Sequence, residues 1–271
     1  MKNIIKVSVL IMMILIIIGL VGCRGSKVEN NGEVLLNGSL VKKYEAKALQ
    51  INEFDEYTRD FSGVVVNRVE NIAKFDVSNI WIVYNELDKE GKIISESKMF
   101  LDMTLTPGDI FNASFKLKEL GENISITSYE YMTSEENVTV NLKDGSVYSV
   151  NIEDREEDSS PYEVLAFSDA KKVDDADDGD TYIVKVKNNS SKSLGNITLK
   201  IGEINSRKEY IGVNHESSYS ALKPLQEAEI TIKVSKHTEK IKLIGYVYDD
   251  IDAKSNIDID LISHKAQINK Y

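Results

Sequence analysis

The chain has 271 residues, with 33 basic and 44 acidic side chains, 42% hydrophobic residues, 15 Gly, 3 Pro, one Cys and one Trp. This composition excludes a disordered, collagen-like or disulfide-stapled chain and leaves room for one large domain or two of about a hundred residues. One cysteine cannot close an intramolecular disulfide or build a Cys-clustered metal site, and three widely spaced His residues offer little to a transition metal, so no cofactor is expected.

At the N-terminus, Lys2 and Lys6 precede an apolar run from Val7 to Leu20, followed by Leu20-Val21-Gly22-Cys23 and Arg24. A spanning helix needs roughly 20 apolar residues, and this run is shorter, so the layout is that of a secretory signal. Leu-Val-Gly-Cys resembles the lipobox of bacterial lipoproteins. The resemblance implies cleavage before Cys23 and a diacylglyceryl group on its thiol, an attachment strong enough to hold a protein at a membrane once two or more acyl chains are present. The alternative is an uncleaved signal anchor. Either way residues 24 to 271 lie on the extracytoplasmic face.

Removal of residues 1 to 22 takes away Lys2 and Lys6, leaving 31 basic against 44 acidic groups and a net charge of −13. Such a surface is repelled by phosphate backbones, so nucleic acid is not expected as a partner. The expected partners are the membrane, through Cys23, and an envelope protein or wall component.

Residues 24 to about 33 are polar and read as a tether. Glu153 to Pro161, Glu-Asp-Arg-Glu-Glu-Asp-Ser-Ser-Pro, reads as a linker. The segments flanking that linker repeat at an offset of 117 residues. Val69-x-Asn71 matches Val186-x-Asn188, Asn79-Ile80 matches Asn196-Ile197, Leu105-x-Pro107 matches Leu222-x-Pro224, and Tyr129-x-Tyr131 matches Tyr246-x-Tyr248. A repeat of this kind points to duplication of one structural unit.

Alternation predicts strands over Asn79 to Asp88, Ile93 to Leu101, Ile110 to Leu117, Ile124 to Tyr131 and Val138 to Leu142, with turns at Asp88 to Lys92 and at Thr106-Pro107-Gly108. No core helix is expected. Short strands at this spacing predict an all-β fold of two tandem immunoglobulin-like β-sandwich domains. The chain then divides into a lipoprotein signal peptide (1–22), a tether (23–36), a first sandwich (37–152), a linker (153–161) and a second sandwich (162–271).

The first copy resembles the FxLYD-type domain, an immunoglobulin-like module of bacterial secreted and surface proteins. The residues that carry this are Val69-x-Asn71, the strand Asn79-Ile80-Trp81-Ile82-Val83-Tyr84, Leu87-Asp88-Lys89-Glu90-Gly91-Lys92-Ile93-Ile94, Leu105-Thr106-Pro107-Gly108 and Phe115. The second copy keeps Asn188, Asn196-Ile197, Leu222 and Pro224, but lacks the Asp-x-x-Gly-Lys turn and the Gly after Pro. The resemblance implies a sandwich scaffold outside the cell, without a catalytic constellation.

Nucleophile elbows, zinc-protease helices, phosphate loops and dinucleotide fingerprints are missing from the sequence, and no catalytic residue is nominated. His215, His237 and His264 have Lys98, Leu120 and Gly145 as counterparts and read as exposed loop or strand-end residues. The run Asp174, Asp175, Ala176, Asp177, Asp178, Gly179, Asp180 is a weak calcium candidate. It fails the EF-hand pattern, with Ala176 at the third position and Lys185 at the twelfth.

Copy comparison singles out Trp81. Ile80, Ile82 and Tyr84 share their apolar parity with Ile197, Leu199 and Ile201, whereas Trp81 and Val83 face Thr198 and Lys200 in the alignment. Trp81 and Val83 are therefore expected on the outward face, as a protein-binding anchor or under a cover from Val34 to Val41 or the second domain. The tyrosine pairs reverse parity relative to Ile124 and Ile126, which predicts a bulge near Ser128 and Gly245. Together these features lead to the expectation of a non-enzymatic, lipid-anchored interaction or scaffold module of the cell envelope. The alternative is a solute-binding lipoprotein that delivers a small ligand to a transporter.

Overall fold

A computed structural model describes residues 32–53, 63–118, 120–152, 157–176, 179–218 and 221–271, with the backbone alone for Glu53, Asp175 and Ala176. The signal, Cys23 and residues 153–156 of the expected linker lie outside the described residues.

The first half contains β1 (Glu33–Leu36), β2 (Ser39–Lys42), β3 (Leu49–Glu53), β4 (Val64–Asn71), β5 (Ser78–Leu87), β6 (Ile93–Leu101), β7 (Ile110–Lys116), β8 (Asn123–Met132), β9 (Glu136–Asn141) and β10 (Val147–Asn151). After β11 (Glu157–Asp158) and a single 3-10 turn at Ser160–Tyr162, the second half contains β12 (Leu165–Phe167), β13 (Lys171–Ala176), β14 (Gly179–Asn188), β15 (Leu194–Ile204), β16 (Tyr210–Ser218), β17 (Glu227–Lys233), β18 (Lys240–Asp250), β19 (Ser255–Asp260) and β20 (Lys265–Lys270). The protein is all-β and builds two tandem sandwiches around two apolar cores.

Each half opposes a five-stranded order, β10-β9-β8-β5-β6 or β20-β19-β18-β15-β16, to a smaller set, β7-β4-β3 or β17-β14 with β12 and β13. The repeat is visible atom by atom. Asn71 Nδ2 donates to the carbonyls of Phe75 and Leu105 at 2.9 and 2.8 Å, and Asn188 Nδ2 donates to those of Lys192 and Leu222 at 2.7 and 2.9 Å. Each Asn is fully buried and ties two connections that no strand ladder would satisfy. Asn79 and Asn196 recur because each opens a bulge with left-handed backbone, φ +47° and +43°, a conformation that Asn tolerates better than most side chains.

The parity reversal before the tyrosines has the expected cause. Pairing skips Thr127 between Val83 and Tyr84, and skips Ile244 between Lys200 and Ile201. The extra residue returns Tyr129, Tyr131, Tyr246 and Tyr248 to the core, where all four are buried. Tyr131 Oη donates to the Ala46 carbonyl at 2.8 Å, and Tyr248 Oη to that of Tyr162 at 3.0 Å.

Three segments differ from their sequence reading. Residues 33 to 36, counted with the tether, form β1 and pair with β2 across a two-residue Asn37-Gly38 turn, because Val34 and Leu36 alternate into the first core. Glu157 and Asp158, counted with the linker, pair with Ala266 and Lys265 of β20. The Asp-x-x-Gly-Lys turn survives in the second copy without its residues. Asp88 Oδ1 accepts the amides of Glu90 and Lys92, Asn205 Oδ1 accepts those of Arg207 and Glu209, and Lys208 takes the left-handed place of Gly91.

Candidate functional site

Trp81 lies on β5, where alternation turns it to the outer face of the five-stranded sheet. It is 39% exposed and stacks on Phe100 of β6, itself 39% exposed, with ring centroids 4.7 Å apart. Its other neighbour in register is Glu130, which pairs with Lys98 at 3.8 Å. Val83, expected beside Trp81 at the surface, is only 8% exposed between Lys98 and Ser128. The apolar residue that shares the open face with Trp81 is therefore Phe100. The two rings form a flat apolar island flanked by one acid and one base, the composition of an interface anchor with a polar rim. Sequence reasoning missed Phe100 because it sits on another strand, and only the register places it opposite Trp81.

The described part of the acidic run lies on β13 and β14. Asp174 pairs in register with Thr181 and Asp175 with Asp180 in the hairpin of β13 and β14, and Asp177 and Asp178 lie outside the described residues. Asp180 holds Lys172 at 2.7 Å. Among the described residues no cluster of three or more His, Cys, Asp or Glu is placed to hold a metal ion.

The junction between the sandwiches carries the densest electrostatics. β16, the edge of the second half's large sheet, lies parallel to β7, the edge of the first half's small sheet, with Tyr210 opposite Phe111. One nine-stranded sheet thus runs through both sandwiches. Tyr210, 4% exposed, joins the first core together with Ile244. Gly202 makes room for that ring, since a Cβ there would lie 2.7 Å from Tyr210 Cε1.

On one side of this seam Lys200 Nζ sits 2.8 Å from both Asp102 of the first sandwich and Asp258 of the second, with 12% of its side chain exposed. His215, in the middle of β16 rather than at a strand end, reaches Asp102 at 2.9 Å, and Thr104 donates to Asp260. Burial pushes the Asp102 carboxyl up, but the His215 hydrogen bond, the Lys200 charge and the Lys200 hydrogen bond outweigh it and hold the group at about 2. Asp258 is raised, because its burial and the neighbouring carboxylates outweigh Lys200. On the other side, Glu209 accepts from Asn112 Nδ2 at 3.0 Å and pairs with Arg68 at 3.4 Å. There Val64, Val66, Asn112, Ile211 and His237 line a cavity of about 190 Å³. The Oδ1 of Asn112 has no hydrogen-bond partner in the described structure.

No protein-family model matches the chain, and no curated protein does. Among solved structures, the chain is similar to exo-chitosanase CsxA from Amycolatopsis orientalis, at 15% identity over 83% of this chain and 26% of that one, with a TM-score of 0.23. It is also similar to red sea bream transglutaminase, at 9% identity over 74% and 28%, TM-score 0.21. A third is a trypsin-activated alpha-2-macroglobulin from Escherichia coli, at 9% identity over 83% and 16%, TM-score 0.19. The chain spans about a quarter of the first two proteins' length.

Proposed function

We propose that this chain is a non-enzymatic, lipid-anchored protein of the extracytoplasmic face, with FxLYD-like sandwiches that act as an interaction module of the cell envelope. The observation that carries the reading is the exposed stack of Trp81 on Phe100, an aromatic pair on an open sheet face. Cys23, at the end of the apolar run, supplies the attachment, and the five-stranded sheet that carries both rings, packed on the first core, supplies the support for the aromatic face. The chain is immobilised and challenged with envelope extract beside a Trp81→Ala variant. A discrete protein or wall fragment retained by the wild type and lost by the variant is expected, and identical capture by both overturns the aromatic face as the contact. Cys23→Ala is expected to move the protein from the membrane fraction to the soluble fraction.

A second reading, delivery of a small ligand, is favoured by the cavity of about 190 Å³ that Asn112 helps to line. It predicts a ligand-induced thermal shift that Asn112→Leu removes.

A further inference from the structure

The seam between the two sandwiches joins one copy of a repeated unit to the other, so each half carries the counterpart of a surface that the other half already uses. β16 is the acceptor edge and β7 the donor edge. Their counterparts at the 117-residue offset are β6 and β17. In the described structure β6 pairs with β5 alone and β17 with β14 alone, so both are sheet edges. We infer that β6 of one molecule docks beside β17 of a second copy, repeating head to tail the junction that β16 and β7 make within the chain.

The residues at the two edges fit this pairing. Tyr210 and Phe111, opposite each other within the chain, correspond to Ile93 and Ala228. Ile93 and Ile94 begin an edge strand and are both exposed, which is costly at a free edge and is explained by a partner strand. Farther along β6, Glu96 and Lys98 carry the charges that normally guard an edge, but the internal junction uses only the Tyr210 end of β16. Glu209 meets Asn112 and Arg68 across the internal seam. Its counterpart Lys92 is set to meet Glu229, the counterpart of Asn112, with Lys185 beside it at 3.6 Å. The internal Arg68 maps on Lys185, so the Arg68–Glu209 pair has no ionic equivalent and Glu229 stands between the two lysines. At the far end of β17, Asn214 Nδ2 donates to the Lys233 carbonyl at 2.5 Å, which leaves the Glu227 to Glu229 end for docking. Because donor and acceptor edges differ, the contact is heterologous and joins copies head to tail, as an open series or a closed ring. The inference stands on these edges and needs neither the lipid nor an external partner.

The test uses the full chain with Cys23→Ser, so that introduced cysteines are the only ones. Protein bearing Ile93→Cys is mixed with protein bearing Ala228→Cys under mild oxidation. A disulfide between the two proteins, at least tenfold more abundant than either self-linked dimer, is expected. The chain with both substitutions should give linked multiples, a ladder for an open series or one discrete size for a closed ring. Adding Ile94→Lys, a charge on the exposed start of β6, should lower the yield severalfold, with far-ultraviolet circular dichroism showing that each variant is folded. Absence of the mixed cross-link, or equal amounts of Ile93-to-Ile93 product, overturns the inference.

Discussion

Leu225 stands where Gly108 stands in the first sandwich, and its backbone holds the same left-handed conformation, φ +63° against +85°. Its amide donates to the Asn188 carbonyl at 2.8 Å, as that of Gly108 donates to Asn71 at 2.8 Å. The second copy has kept the turn and accepted the strain. A left-handed residue with a Cβ costs about 1–2 kcal/mol, and glycine returns roughly 0.5–1 kcal/mol of that through chain entropy. Since Leu225 is largely exposed, Leu225→Gly should stabilise the second sandwich by about 0.5–1 kcal/mol, and Lys208→Gly by a similar amount, in urea denaturation.

Asn188→Ala removes two donors and strands the carbonyls of Lys192 and Leu222. The loss should be about 3 kcal/mol, at roughly 1–3 kcal/mol for each buried acceptor left unpaired. Asn71→Ala should cost the first sandwich as much, through Phe75 and Leu105. Chemical denaturation of each variant beside the wild type would report the loss.

The seam should respond to acid. The folded-state value of Asp102, about 2, lies below its ordinary 3.8, so the unfolded chain takes up this proton first. Its stabilising contribution is therefore complete above about pH 4 and is lost as pH falls through about 2. Asp258 has the opposite sign: its raised value means that its ionisation opposes folding, so protonation near its own pKa favours the folded state. In Asp102→Asn the acid-side loss between about pH 4 and pH 2 should shrink, as followed by stability against pH.

Lys200→Met leaves Asp102 and Asp258 facing one another without their cation. Breaking a buried pair of this kind should cost about 3 kcal/mol at pH 7. The loss should be partly recovered at low pH as the carboxylates protonate. An equal loss at all pH values would assign it to packing instead.

Trp81 is the chain's one tryptophan, so its fluorescence reports the aromatic face directly. Partial exposure predicts emission intermediate between buried and free indole and substantial acrylamide quenching. Phe100→Ala should increase quenching and red-shift the emission, while changing stability by less than about 1 kcal/mol, the scale of an exposed aromatic pair.

Much of the architecture is written locally. The 117-residue offset, the alternation of Ile80, Ile82 and Tyr84, and the bulge before Tyr129 and Tyr246 follow from side chains that must point to one face of a pleated strand. These features depend on neighbours along the chain and across one hairpin. What the strands meet beyond their own sheet is not encoded that way. Lys200 has the outward parity of Thr198, yet it is nearly buried, because Asp102 arrives from the other sandwich. His215 stays exposed, but the Asp102 that it reaches comes from the other sandwich too, and Val83 loses its exposure to strands that the alternation of β5 does not name. The parallel contact of Tyr210 with Phe111 joins residues 99 positions apart on two different strands, so no periodicity within either strand contains it. Sequence alone determined which face of each strand is apolar and that the unit occurs twice. Only the tertiary structure decided which edges meet, because an edge offers backbone groups that any strand can pair, and the choice rests on side chains brought together from distant segments.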